Sequence, residues 1–342
     1  MQRPALLPDN FTLALVGVVT LASVLPAHGA AAAGFDRLTT VAIGLLFFLH
    51  GAKLSREAIR AGIAHWRLHL LVFAFTFGLF PLLGLALRPL LLPLMTPQLY
   101  TGMLYLCVLP ATVQSAIAFA SIARGNVPAA VCSASASTLL GVFVTPVLAG
   151  LLVLPAGGLA AGSAPDPLDA VGRILLQLMC PFVAGHLLRP WLGEWIARRK
   201  AVVGLVDRGS ILLVVYTAFS AAVIQGLWHQ VPWPALLGLL VACCVLLALV
   251  LFTTSRVARA LGFDKADEIT IVFCGSKKSL ASGIPMAKVL FPAHAVGAIV
   301  LPLMLFHQIQ LFVCAVIAQR QGHRLMMEAR VRQETRLEEK PA

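Results

Sequence analysis

Two adjacent lysines, Lys277 and Lys278, stand in the run Phe273-Cys274-Gly275-Ser276-Lys277-Lys278-Ser279-Leu280-Ala281-Ser282-Gly283-Ile284-Pro285. The rest of that segment reads as a membrane-spanning helix. A cation near the bilayer centre costs about 2.5–3.5 kcal/mol on insertion scales, so a lysine kept there marks a functional site. A buried ammonium has four outlets: lose its proton, cap carbonyls at a broken helix end, sit in water, or meet an anion brought by a substrate. All 14 acidic residues lie in loops, tails or at span ends. Glu268 is the nearest along the segment, about 13 Å from Lys277 on a continuous helix. Water plus a substrate anion is the expected environment, with capping of a helix C-terminus as the structural alternative. Successive helical residues point about 100° apart, so one lysine of the pair is expected to line a cavity.

Neutral hydrogen-bonding groups surround this pair in the sequence. Ser276, Ser279 and Ser282 share its segment, and Gly275, Gly283 and Pro285 loosen the helix. Broken backbone at membrane depth is tolerated only inside protein or beside a watery cavity. Thr112, Gln114 and Ser115 form a second polar group in an earlier apolar segment. These residues are candidate ligands for a substrate or ion; the alternative is ordinary bonding between helices. Ser133, Ser137 and Gly141 recur every four residues, a pattern for close helix packing. His50, His186 and His307 near span ends are candidate proton relays or caps, and Gln177 and Gln308 candidate polar lining. The seven cysteines fall in apolar runs without a Cys-x-x-Cys pair and read as buried hydrophobes. No His-Glu-x-x-His, Gly-x-Ser-x-Gly or phosphate-cradling loop is present, so neither an enzyme nor a resident cofactor is expected.

The elements that must hold these residues are helices in a membrane. Of 342 residues, 59% are hydrophobic and 12% charged, half the charge of a soluble domain. The net charge of +12 follows the loops of a membrane protein and not a nucleic-acid surface. Ten spans are predicted, near 11–27, 38–53, 68–87, 99–123, 127–153, 168–188, 205–227, 234–255, 268–290 and 293–319, the first kept as a mature helix. Lysine and arginine concentrate in alternate connections: Lys53 to Arg67, Arg124, Arg189 to Arg208, Arg256 to Lys265, and the tail from Arg320 to Lys340. Only Arg37, Arg88, Arg173 and Lys288 fall on the other side, so both termini are expected in the cytoplasm.

A Pro/Gly/Ala-rich link separates two sets of five spans, and an odd number per half inverts the second half relative to the first. The predicted organisation is a cytoplasmic N-terminus (1–10), a first five-helix repeat (11–153), a periplasmic linker (154–167), a second repeat (168–319) and a basic cytoplasmic tail (320–342). Val113-Gln114-Ser115-Ala116 then faces Lys277-Lys278-Ser279-Leu280, pairing the fourth span with the ninth. Interrupted helices at matching positions of two halves point to a transporter's binding site. The tail is expected either along the anionic inner leaflet or as a solvated segment.

At these residues the chain resembles the bile acid:sodium symporter superfamily, in its branch of bacterial sodium-dependent transporters and the vertebrate seventh member. The pieces are Leu109-Pro110-Ala111-Thr112-Val113-Gln114-Ser115, Ala123-Arg124-Gly125-Asn126, Ser137-Thr138 through Thr145-Pro146, and Cys274 through Gly283. The resemblance implies an all-α membrane protein of ten helices in panel and core domains. It also implies discontinuous fourth and ninth helices that cross at mid-membrane beside a substrate cavity. The implied activity is secondary transport of a small organic anion across the bacterial inner membrane by alternating access, with lipid as the surrounding partner. A regulator or scaffold that keeps the fold is the alternative, since the vertebrate relative implies links to calcium handling. The family's sodium ligands would fall on Phe273, Lys277, Ile117, Ala130 and Ala134, which lack the needed oxygens. Lys277 is therefore expected to stand in for sodium, leaving transport sodium-independent or proton-linked. Substrate identity and oligomeric state are not legible.

Overall fold

The computed structural model describes residues 10–53, 65–154 and 167–338. Every regular element among them is helical, and six helices are long and apolar enough to cross a membrane: Gly29–Lys53, Trp66–Ala86, Val127–Val153, Ala201–Ile224, Trp233–Ala260 and Ala293–Met327. The protein is an all-α, multi-span membrane protein. We label its helices α1 (Asn10–Val24), α2 (Gly29–Lys53), α3 (Trp66–Ala86), α4 (Pro97–Val108), α5 (Gln114–Ile122) and α6 (Val127–Val153). The second half holds α7 (Pro167–Arg198), α8 (Lys200–Ile224), α9 (Trp233–Ala260), α10 (Lys265–Gly275), α11 (Leu280–Leu290) and α12 (Ala293–Glu338).

Local chemistry sets most boundaries. Thr96, Asn126, Asp264 and Ser279 cap α4, α6, α10 and α11, each side chain accepting a backbone N–H three residues on. Pro110 stops α4, because the residue before a proline is pushed out of the helical region. Leu109 is accordingly extended. The end of α5 is turned by Arg124, whose φ of 62° is left-handed, and the Gly125 N–H reaches back 2.7 Å to the Ala120 carbonyl.

Three boundaries move furthest from the sequence expectation, and one is the end of α7, at Arg198 instead of residue 188. The second span begins at Gly29 instead of residue 38, because the alanine run after Gly29 is strong helix former and extends it. The tail as far as Glu338 continues α12 directly, giving 46 residues and about 69 Å of helix, more than twice the hydrocarbon thickness. The first nine residues, most of the predicted linker (155–166) and Arg56 and Arg60 lie outside the described residues, as does the side chain of Gln177.

Helices α1, α2, α7 and α8 pack as one group, with α2 against α7 the most extensive pairing. Two glycines permit it. A Cβ on Gly51 would sit 1.9 Å from the Phe182 carbonyl oxygen, and one on Gly185 would sit 1.9 Å from that of Phe48. The remaining helices form a second group, in which α4 packs on α12 and α10 touches α3, α5, α6 and α9. Its centre is large and tightly buried: Tyr100, Tyr105, Phe80, Phe273, Phe306 and both Lys277 and Lys278 are almost wholly covered.

Candidate functional site

Two helix interruptions meet in the second group. One separates α4 from α5, the other α10 from α11, and the Ser279 N–H donates to the Pro110 carbonyl at 2.9 Å. The last carbonyls of a helix have no intrahelical donor, so each needs another partner. At and just past the end of α4 the four successive carbonyls from Cys107 to Pro110 each find one: Pro110 takes the Ser279 N–H, Val108 takes the Thr145 hydroxyl at 2.8 Å, and Cys107 and Leu109 take the Lys278 ammonium at 2.8 Å each. The third ammonium proton goes to the Thr76 carbonyl at 2.7 Å.

That carbonyl is free for a sequence reason. A π-helical turn, Phe75–Leu79, sends the Phe80 N–H to Phe75, and the next residue is Pro81, which has no N–H. Lys278 thus fills the donor capacity of an ammonium with three carbonyls, and the Phe80 ring lies 4.1 Å from its Nζ. Its own backbone is held by Gln310, which accepts from the Lys278 N–H and donates to the Lys278 carbonyl, both at 3.0 Å.

Lys277 is equally buried and quite different. Its Nζ has no oxygen or nitrogen hydrogen-bond partner among the described residues and rests 3.8 Å from the centroid of the Phe119 ring. Phe273 and Cys314 pack in the same cluster, and the buried hydroxyl of Ser276 has no oxygen or nitrogen partner among the described residues. The structure therefore gives the cradled-cation geometry to Lys278 and leaves Lys277 against an aromatic face. No carboxylate of the described residues pairs with either lysine.

A cavity of about 450 Å³ opens between the two helix groups. The second group contributes Thr112, Gln114 and Ser115 at the start of α5, Ser279 and Ser282 at the start of α11, and His307. The first contributes His50, Lys53, Phe182, Asp207 and Arg208. Gly275, Ser276, Lys277 and Lys278 do not line it; they lie behind its wall, where Lys278 holds the interruptions. Neither lysine faces the cavity, because Lys278 is turned into the carbonyls of α4 and Lys277 toward α5. Within the lining, Thr112 Oγ1 and Ser115 Oγ share a hydrogen bond of 2.7 Å, and the Ser279 hydroxyl donates to that of Ser282 at 3.2 Å. Lys53 is paired with Asp207, while Arg208 has no ion pair among the described residues, so the wall carries net positive charge.

The small-residue stripe of α6 carries the first interruption from below. Ser137 accepts the Ala111 N–H at 3.0 Å, and a Cβ on Gly141 would lie 2.5 Å from Pro110. Ser133 bonds the buried His69 Nδ1 at 2.6 Å. His69 and the neighbouring charges Asp207 and Arg208 carry no signal of this role in the sequence, whereas Gln310 carries one. Gln310 sits three residues beyond His307 on one helix face and contacts it at 2.9 Å, a spacing that was available. The positions where the resemblance puts sodium ligands hold hydrocarbon at Ile117, Ala130, Ala134 and Phe273, so they offer sodium no side-chain oxygen.

Residues 9–323 match the sequence profile of a family described as SBF-like CPA transporters. The chain belongs to that family. A Pseudomonas aeruginosa protein of uncharacterized function is 68% identical over 324 residues, covering 95% of this chain and 96% of its own. YfeH of Escherichia coli K12, a symporter candidate by name, is 61% identical and covers 91% and 92%. The mouse sodium/bile acid cotransporter 7 is 29% identical over 81% of each chain. As an SBF-like transporter the chain is not an enzyme.

Proposed function

We propose that this SBF-like protein carries a small organic anion across the bacterial inner membrane by alternating access. The observation that carries the reading is the cavity itself. Two helices, α5 and α11, begin at its wall, and helix N-termini present unpaired N–H groups and a positive dipole end to an anion. The hydroxyls of Thr112, Ser115, Ser279 and Ser282 and the uncompensated Arg208 add hydrogen-bonding groups and positive charge. In this reading α1, α2, α7 and α8 form the panel and the other helices the core. The ten-span, inverted five-plus-five arrangement would cross its broken helices at mid-membrane, with both termini in the cytoplasm.

The same reading makes transport independent of sodium. Lys278 puts an amine head into a ring of carbonyls beside the two interruptions, the role a bound sodium ion would otherwise fill. The expected result is that anionic metabolites raise the melting temperature of the purified protein equally in sodium and choline buffers. The anion with the largest shift should then accumulate in proteoliposomes without sodium. Accumulation that stops when sodium is withdrawn refutes the coupling claim. No accumulation of any stabilising anion refutes the transporter claim and favours a scaffold that keeps the fold.

A further inference from the structure

A second cavity, about 370 Å³, lies away from the first, between α9, α10 and α12. Its lining divides into two halves. Leu251, Phe252, Val272 and Ile317 are hydrocarbon; Ser255, Arg256, Arg259 and Gln321 are polar. Along α9 the polar half comes one turn later than the apolar half, toward the end where basic residues gather. The outer face of α9 leads straight to it. Leu237, Val241, Val245, Leu249 and Phe252 are 63%, 54%, 40%, 36% and 59% exposed, at spacings of three and four residues, while Leu239, Ala242, Leu246 and Val250 on the opposite face are buried. This exposed stripe is one continuous apolar lane on a membrane-spanning helix, and it ends at Arg256.

The charges at the end of the lane are unequal. Arg259 donates from Nε to Glu268 and is committed. Arg256 has no ion pair among the described residues, and its guanidinium lies over the Phe252 ring at 4.9 Å, which fixes it at the mouth of the cavity. Across from it, Gln321 Oε1 is buried and has no hydrogen-bond donor among the described residues. The site therefore holds a free guanidinium for an anion, an unused acceptor for a hydroxyl, and a hydrocarbon lane running into the bilayer.

We propose that this cavity binds an anionic phospholipid with a glycerol headgroup. Its phosphate sits on Arg256, a headgroup hydroxyl donates to Gln321, and an acyl chain lies along the α9 stripe. The lane decides for a lipid over a free anion, because inorganic phosphate gains nothing from Leu237 to Phe252. Basic pockets between spanning helices on the cytoplasmic side are the usual seat of such headgroups. The site does not depend on the cargo reading, since it shares no residue with the first cavity.

The test uses the full chain in detergent, followed by native mass spectrometry and thermal melting with added phosphatidylglycerol, phosphatidylcholine or inorganic phosphate. Phosphatidylglycerol should remain bound in preference to phosphatidylcholine and raise the melting temperature. R256Q should weaken that preference about tenfold, the loss expected for one charge-assisted contact. Q321L, which keeps the charge, should reduce it less, and R198Q, at an exposed arginine elsewhere, should leave it intact. Equal retention of the two lipids overturns the proposal, as does an unchanged R256Q. Stabilisation by inorganic phosphate equal to that by phosphatidylglycerol overturns the lipid assignment.

Discussion

The two lysines make opposite predictions for the same substitution. In Lys278→Met the side chain keeps much of its bulk but loses three hydrogen bonds of 2.7–2.8 Å. The carbonyls of Thr76, Cys107 and Leu109 then stay buried without donors, at about 1–3 kcal/mol each. Relief from burying an ammonium offsets several kcal/mol of that total of about 3–9 kcal/mol, leaving a net loss of about 1–4 kcal/mol. At about 2 °C per kcal/mol for a chain of this size, the melting temperature should fall by about 2–8 °C. Lys277→Met breaks no hydrogen bond to oxygen or nitrogen among the described residues, and gives up the contacts of its Nζ with the Phe119 and Phe273 rings and the Cys314 thiol. Replacing a poorly satisfied buried charge by a hydrocarbon of similar volume is often neutral or stabilising by about 1–4 kcal/mol. Differential scanning fluorimetry of both variants in one detergent reads the contrast directly. If Lys277→Met falls as far as Lys278→Met, the division of labour between cradle and aromatic face is wrong.

Gly51→Ala should separate α2 from α7, because its Cβ would fall 1.9 Å from a backbone oxygen that cannot rotate away; loss of folded protein in detergent chromatography checks this. Ser137→Ala leaves the buried Ala111 N–H without its acceptor and should cost about 1–3 kcal/mol in thermal melting, whereas Ser137→Thr should retain part of the bond. Thr112→Val, at the cavity wall, should leave the melting temperature near wild type while reducing anion-induced stabilisation several-fold. A Thr112→Val protein that responds to anions as fully as wild type places the cargo elsewhere.

Much of the site was already legible in the residue order. Charged residues confined to connections, apolar runs of spanning length and two lysines amid hydrocarbon specify a polytopic membrane protein with weight on the Lys277–Lys278 segment. Pro110 and the Gly-Ser-Lys-Lys-Ser run mark both interruptions, because proline and helix-cap chemistry act locally within a few residues. What each lysine touches is not local. Lys278 is cradled by carbonyls from residues about 170 and 200 positions earlier, and one is free only because a π turn precedes Pro81. Only the packing of α3 and α4 against the second interruption decides that the cavity is lined by serines and threonines while the lysines stand behind them. Side-chain direction at a broken helix has no periodicity to be read from sequence; it follows from which orphaned carbonyls the tertiary fold brings within reach.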